Sequence, residues 1–506
     1  MNRRSAFMSL RFIHLALDRS LTSLFGSRFR QHYIRISYRI KTSLFPEYGA
    51  YIPAPSEIGP VPQSIVWMPP AIPNWVLDEM KELAQDIDPV LYPTDQFLAN
   101  CRYYSFPVLP RPGKIYRELM LCCTSDHYTH CFAIPWLKRG GADLVTLKHI
   151  EAALRTPGAK VLVMMTEPGD SPWVSRIPAG VDVVDVSRFV GEISHDELLL
   201  LMVRMFVQLE IDALHIINSR HVWEVVCRYG LALTQRTKVF ASIYCDDYDR
   251  YGQPVGFARQ YLPDCYRRLT NVFSDNNALP ALLRQTYGYS PDLFRVLKSP
   301  VDASLSVDAI RRPEGRKVLW AGRLDRQKRP DLLLAVAQAL PDVEFFVYGD
   351  VVLDYKTGVV DRLKQLRNVR MLGGFDGVES LPFADFPVFL YTSQWDGTPT
   401  MVIAAALASI PIVASQVGGV GDIVTNERGY PVADIENVSF YVARINEALN
   451  DPACAEAKAA AAREYVRREH SDAVFIQALA EIPGYMPFSG ANLQSPTSGD
   501  IESCVA

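Results

Sequence analysis

Two cations, a carboxylate and an amide-rich turn stand close together in the second half of the chain. In "VLWAGRLDRQKRPDLLLAVAQAL" (318–340) an apolar run ends at Gly322, which allows a tight backbone path, and Arg323 and Lys328 follow before Pro330. A guanidinium binds a diphosphate as a rigid fork and an ammonium binds it as a point charge. In "VFLYTSQWDGTPT" (388–400) Pro399 stands at the start of an apolar helical run, a place where proline fits. The N–H groups near Thr400 and Met401, together with the helix dipole, would seat an anion. Asp396 lies just outside, where it would accept hydrogen bonds from sugar hydroxyls. In "SQVGGVGDIV" (415–424) Gly418 and Gly419 permit close backbone approach, and Asp422 opens a short helix. Taken singly, each part also reads as an ordinary capped turn.

These residues need strands to hold them. From about residue 127, short apolar runs alternate with helical stretches. The runs are "THCFAIPWL", "AKVLVMMT", "DALHIIN", "KVFASIY" and "NVFSDN", with helices over Ala142–Leu154, His195–Leu209 and Leu279–Tyr287 between them. After a polar stretch near 302–316 the alternation restarts with "VLWAGRL", "VEFFVYG", "VRML", "VFLYTS" and "IPIVAS". Short apolar strands separated by helices predict parallel sheets covered on both faces. Two such halves would place a ligand between them, at the carboxyl ends of the strands. The reading is an α/β protein of two doubly wound domains, 126–302 and 303–451, with a cleft between. Helices at 452–483 would close the second domain or cross back to the first. A segment at 46–125 with a helix near Val76–Ile87 reads as an irregular extension.

Taken together, "GRLDRQKRPDLLL", "YTSQWDGTPTMVIAAALASIPIVASQVGGVGDIV" and "GYPV" resemble the donor-binding half of retaining glycosyltransferases of family 4, which have the GT-B fold. The likeness is good over roughly 316–450. It extends to "IPWLKRGGADLVTLKHI" (134–150), which is similar to the family's glycine-glycine loop. The resemblance implies that Arg323 and Lys328 hold a donor diphosphate and that Gly140 and Gly141 bring backbone close to it. Gly397, Thr398, Pro399, Thr400 and Met401 would form the donor turn. The family's paired acids fall at Asp396, which would reach the transferred sugar, and at Ala404, which has no group to grip a ribose. If a ribose lies beside that helix, Ala404→Glu should tighten donor binding. The implied reaction moves a sugar from a nucleotide-sugar to a saccharide or lipid-linked acceptor with retention, in bacterial surface polysaccharide synthesis. It would need no cofactor and no metal. A nucleotide-sugar epimerase, or a degenerate scaffold subunit, are the rival readings.

His215 and His221, in "IDALHIINSRHVWEV", lie at or just after a strand end. Each is either an acceptor-side group or a core or capping histidine. "DDYD" (246–249) precedes the donor motifs and reads as a solvated loop. The His127, His130 and Cys131 cluster lies on one strand, where alternate side chains point apart, so no zinc site is expected.

The totals narrow the class. The chain has 506 residues and a formal charge of −4, which gives no reason to expect nucleic-acid binding. Nine cysteines show no framework spacing, as for reduced thiols in a cytosolic protein. Residues 1–45 hold nine Arg or Lys against one acid, with Phe7, Leu10, His14, Leu17, Leu21 and Leu24 at helical spacing. That segment would lie on an anionic membrane surface, pack on the protein itself, or be loosely ordered. Residues 484–506, rich in Gly, Ser and Pro, read as a disordered tail. The expected location is the cytoplasm, peripheral on the inner membrane face.

Overall fold

The computed structural model describes residues 74–101, 111–300, 315–352 and 357–486. The basic segment 1–45, residues 46–73 and 102–110 of the extension, nearly all of the polar linker and nearly all of the C-terminal tail lie outside the described residues. The chain divides into two compact units, Met1–Arg111 and Pro112–Ala506. In the first, the helix Asn74–Asp86 is followed by a short turn that Asp88 caps by accepting from the Val90 N–H at 3.0 Å.

The second unit holds both sheets. Seven strands form the first, all parallel: β1 (Tyr128–Ile134), β2 (Val161–Met165), β3 (Asp182–Asp185), β4 (Ile211–Ile217), β5 (Lys238–Ser242), β8 (Asn271–Ser274) and β9 (Phe294–Val296). Their order is β3-β2-β1-β4-β5-β8-β9. Between β5 and β8 the chain makes a small antiparallel hairpin, β6 (Asp247–Tyr248) and β7 (Pro254–Val255). The second sheet contains β10 (Lys317–Ala321), β11 (Glu344–Tyr348), β12 (Val369–Gly373), β13 (Val388–Tyr391), β14 (Ile412–Ser415) and β15 (Tyr430–Val432). It runs β12-β11-β10-β13-β14-β15 and is also parallel.

The central strands are buried along their whole length, β2, β13 and β14 at every residue. Such strands bury both faces, which is why they read as unbroken apolar runs. Each sheet has one place where the strand order reverses, between β1 and β4 and between β10 and β13. Loops leaving the carboxyl ends of such a pair diverge to opposite faces and open a crevice.

The two C-terminal helices pack on different domains. Pro452–Glu469 sets Ala462 and Val466 into the second domain's core, among Leu319, Phe389 and Ile403. Asp472–Ala480 crosses back, placing Phe475 and Leu479, and then Tyr485, against Phe240 and Phe273 of the first sheet.

Tyr485 anchors that return. Its hydroxyl bonds Nδ1 of His149 at 3.0 Å and Nδ1 of His215 at 2.8 Å. One hydroxyl proton serves one imidazole, so the other ring must donate. His130 Nε2 meets the Tyr485 carbonyl at 2.6 Å, and His215 Nε2 meets Ser242 Oγ at 2.8 Å. Burial pushes His130 down to about 4, His149 down to about 3 and His215 well below the usual imidazole range. The unfolded chain therefore binds more protons below pH 6.5 than the folded one, and stability must fall with pH. Each of these histidines is expected to cost about 1.4 kcal/mol per pH unit below 6.5, until it titrates in the folded state. Urea midpoints at pH 7 and pH 5 check this. An unchanged midpoint would mean the imidazoles reach water.

Candidate functional site

The loop after β10 and the loop after β13 are stitched together. Gln394 N–H donates to the Gln327 carbonyl at 2.8 Å, Gln327 Nε2 to the Trp395 carbonyl at 2.9 Å, and Thr392 Oγ1 to the Lys328 carbonyl at 2.7 Å. Buried Trp320, at the end of β10, donates to Thr392 Oγ1 at 2.9 Å and fixes the base of the pair. Lys328 Nζ reaches across to Asp396, which it pairs, and to the Tyr391 hydroxyl at 3.1 Å. Tyr391 in turn donates to Asp396. Burial, and then the Asp396 charge, hold the Tyr391 phenol well above its usual range, so it stays a donor. Arg323 is half exposed at the same strand end, beside Asp325 at 3.0 Å and Gln327 at 2.6 Å. Gly322 donates its N–H to the Tyr348 carbonyl at 3.0 Å and brings the chain off the sheet.

The helix Thr400–Leu407 begins beside this pair. Pro399 is its N-cap in extended conformation, and no side chain caps the helix. The first N–H groups to bond within the helix are those of Val402 and Ile403, at 3.0 and 3.2 Å from the Pro399 carbonyl. The amides of Thr400 and Met401 are thus left for an anion. Behind them Gly418 has φ +50°, and a β-carbon there would lie 1.9 Å from the Asp396 carbonyl oxygen. Gly419 N–H donates to the Gly397 carbonyl at 2.9 Å.

The first domain faces this seat. Gly140 is the N-cap of the helix Gly141–Leu154, and a β-carbon on Gly141 would sit 3.0 Å from Thr400 Oγ1. Glycine there is what lets the two helix starts approach. The hairpin β6–β7 docks from the other side, with Arg326 donating to the Tyr248 and Asp249 carbonyls and lying 5.1 Å over the Trp395 ring. Asp246 of the "DDYD" run is not solvated, because Arg259 forks onto its carboxylate at 2.7 and 3.1 Å. The loop that carries Arg323 and Lys328 therefore lies against the turn that leads to Thr400, with Gly141 of the first domain beside Thr400.

At the other reversal point, between β1 and β4, lies a pocket of about 300 Å³. Trp136, Asp143, Glu167, Asn218, Arg220 and Phe257 line it. Burial pushes the Asp143 carboxyl up to about 6. Burial also raises Glu167, but hydrogen bonds and charge from His221 outweigh that and hold its carboxyl low. Sequence reasoning passed over all six residues. Their one signal is position, since Trp136 and Asn218 lie at strand ends.

Three expectations need correction. His215 does not reach either opening, because it is fully buried with both ring nitrogens engaged in the core. His221 touches the first-domain pocket only through Glu167, whose Oε1 it meets at 2.8 Å. Ala404 is wholly enclosed among Leu319, Phe389 and Ala405, so no open space for a ribose lies against it. A carboxylate there would be buried without a cation. Ala404→Glu is accordingly expected to lower stability by about 3 kcal/mol, read as a fall in Tm, rather than to tighten binding.

Residues 306–469 match the family Glycosyl transferases group 1. The chain is 28% identical over 179 residues to glycogen synthase of Mycobacterium tuberculosis, covering 33% of this chain and 43% of that protein. It is 32% identical over 155 residues to spore coat protein SA of Bacillus subtilis, covering 27% and 40%. The chain thus spans less than half the length of these curated relatives. Among solved structures, Anabaena HepE in complex with UDP and glucose superposes with a TM-score of 0.58 at 18% identity, over 70% of this chain and 99% of that one. The two Rossmann-like domains have the GT-B fold of such structures. Among the described residues no helix is long and apolar enough to cross a membrane.

Proposed function

We propose that the protein is a retaining glycosyltransferase that uses a nucleotide-sugar donor. The observation that carries this reading is the uncapped start of helix Thr400–Leu407, laced to the Lys328 loop and faced by Gly141. The match to the group 1 family, and the UDP and glucose held by the similar Anabaena structure, support it.

As the bond between sugar and diphosphate breaks, negative charge grows on the outer phosphate. Lys328, Arg323 and the amides of Thr400 and Met401 would stabilise it where it grows. Asp396, held by Lys328 and Tyr391, would orient the sugar through its hydroxyls. The acceptor hydroxyl attacks from the face the diphosphate leaves, and the departing phosphate oxygen takes its proton. This route rests on positioning and charge and uses no protein nucleophile. The pocket between Trp136 and Phe257 is the proposed acceptor site, for a saccharide or lipid-linked saccharide of a bacterial surface polysaccharide. The basic segment 1–45 would keep the enzyme at the cytoplasmic membrane face.

Incubation with a panel of UDP-, GDP- and dTDP-sugars, with and without acceptor lipid extract, tests the reading. Nucleoside diphosphate release is expected. No release from any donor would favour a scaffold subunit, the reading that the missing acid at Ala404 supports.

A further inference from the structure

We propose that Asp275 is a positioning residue through which the first domain pins the donor loop Asp396–Pro399, so that the diphosphate seat is completed only when the cleft is shut. This rests on reading that loop as the seat.

Asp275 follows β8 directly, and its side chain is buried. Its Oδ2 accepts the Thr398 N–H at 2.8 Å, and its carbonyl accepts Thr398 Oγ1 at 2.8 Å. Its Oδ1 accepts from Asn276 Nδ2 at 2.7 Å. Asn276 is fixed in turn, since its Oδ1 accepts the N–H groups of Ala278 and Leu279 at 3.0 and 3.1 Å. The approach depends on glycine: a β-carbon at Gly397 would lie 2.7 Å from Asp275 Oδ2. The loop is therefore held at Thr398 from one domain and at Gly397, through Gly419, from the other. Two residues further on come the free amides. An open cleft would cut both bonds to Thr398, release the turn, and return a dry carboxylate to water.

That last exchange links closure to a proton. Asp396 and Lys328 face the carboxylate's surroundings from the second domain. Cys245 and Tyr244 do so from the loop after β5, and Asp143 from the helix Gly141–Leu154. Burial, with the Asp396 charge adding, raises Asp275 to about 7, although the Thr398 amide and Asn276 oppose it. In the open form it would return to the ordinary carboxylate range. The closed form then binds more protons than the open one between about pH 4 and pH 7. Closure is favoured as pH falls through 7 and weakens as it rises to 7, with no further change above.

Hydrogen exchange of the full chain, read on peptides covering 394–401 and corrected for intrinsic rates, tests this. In the wild type, protection is expected to fall about tenfold from pH 6 to pH 8. Asp275→Ala should speed exchange of the loop about tenfold or more at pH 6. Asp275→Asn keeps one acceptor and should lose the pH response. Exchange in β8 and β13 reports whether either variant has lost its fold; if the alanine form has, the asparagine form decides. Wild-type protection in a folded Asp275→Ala, or a pH response that survives in Asp275→Asn, would overturn the proposal. Failure of the glycosyl-transfer reading shows differently, as no nucleoside diphosphate released by wild type, and leaves the exchange result standing.

Discussion

Lys328→Met is expected to slow sugar transfer by about 10²–10³-fold, with most of the loss in kcat. The ammonium is held from the neighbouring loop by two groups, the Tyr391 hydroxyl at 3.1 Å and the Asp396 carboxylate. The outer phosphate would gain a further negative charge as the bond breaks, so a group beside it should act mainly on the rate. The substitution should not unfold the loop. Asp396 keeps the Tyr391 hydroxyl, and its Oδ1 still accepts the Gly397 N–H at 3.0 Å. Steady-state release of nucleoside diphosphate, with Tm as control, measures the effect. Arg323, half exposed and already shared between Asp325 and Gln327, should cost less when replaced. A loss below tenfold at Lys328 would move the burden of charge stabilisation elsewhere.

Gly418→Ala should raise the donor dissociation constant about 100-fold while leaving the fold intact. The added carbon meets the Asp396 backbone carbonyl, which cannot swing aside as a side chain would, and the φ of +50° disfavours any residue with a β-carbon. Either the turn after Asp396 or the turn at Gly418 must shift by about 1 Å, and losing two amide bonds to the diphosphate at about 1.5 kcal/mol each costs about 10² in affinity. Titration with the nucleoside diphosphate released by the wild type would show it. Wild-type affinity in the variant would mean that this turn tolerates displacement and does not define the seat.

The two sheets were legible because buried parallel strands carry their own signature. The cores of β1, β2, β4, β5, β8 and β10–β14 lie within the apolar runs named from sequence alone. The edge strand β3 was not, since "DVVD" buries one residue of four and offers no continuous run. The helix Arg220–Leu233 was passed over in favour of the strand end before it. Within the crevice, the residues brought together by neighbouring loops were readable: Arg323, Lys328, Asp396 and the turn to Met401. Asp275 was not, because its partner Thr398 lies 123 residues away. His215 illustrates the same limit: a strand position gives a side chain's face, but not that Tyr485, 270 residues on, seals it. Ala404 did carry a warning, since "TMVIAAAL" is apolar on every side and such a helix has no solvent face.

The return of the chain to its first sheet has a consequence for biosynthesis. Everything the second domain's sheet requires, up to Val432, leaves the ribosome before Tyr485 does. Until it does, His149 and His215 lack the hydroxyl they share, and Phe240 and Phe273 lack one of the rings packed on them. The first domain's core is thus completed only by the last part of the chain to be made, and a chaperone that shields nascent apolar surface would act on that earlier half.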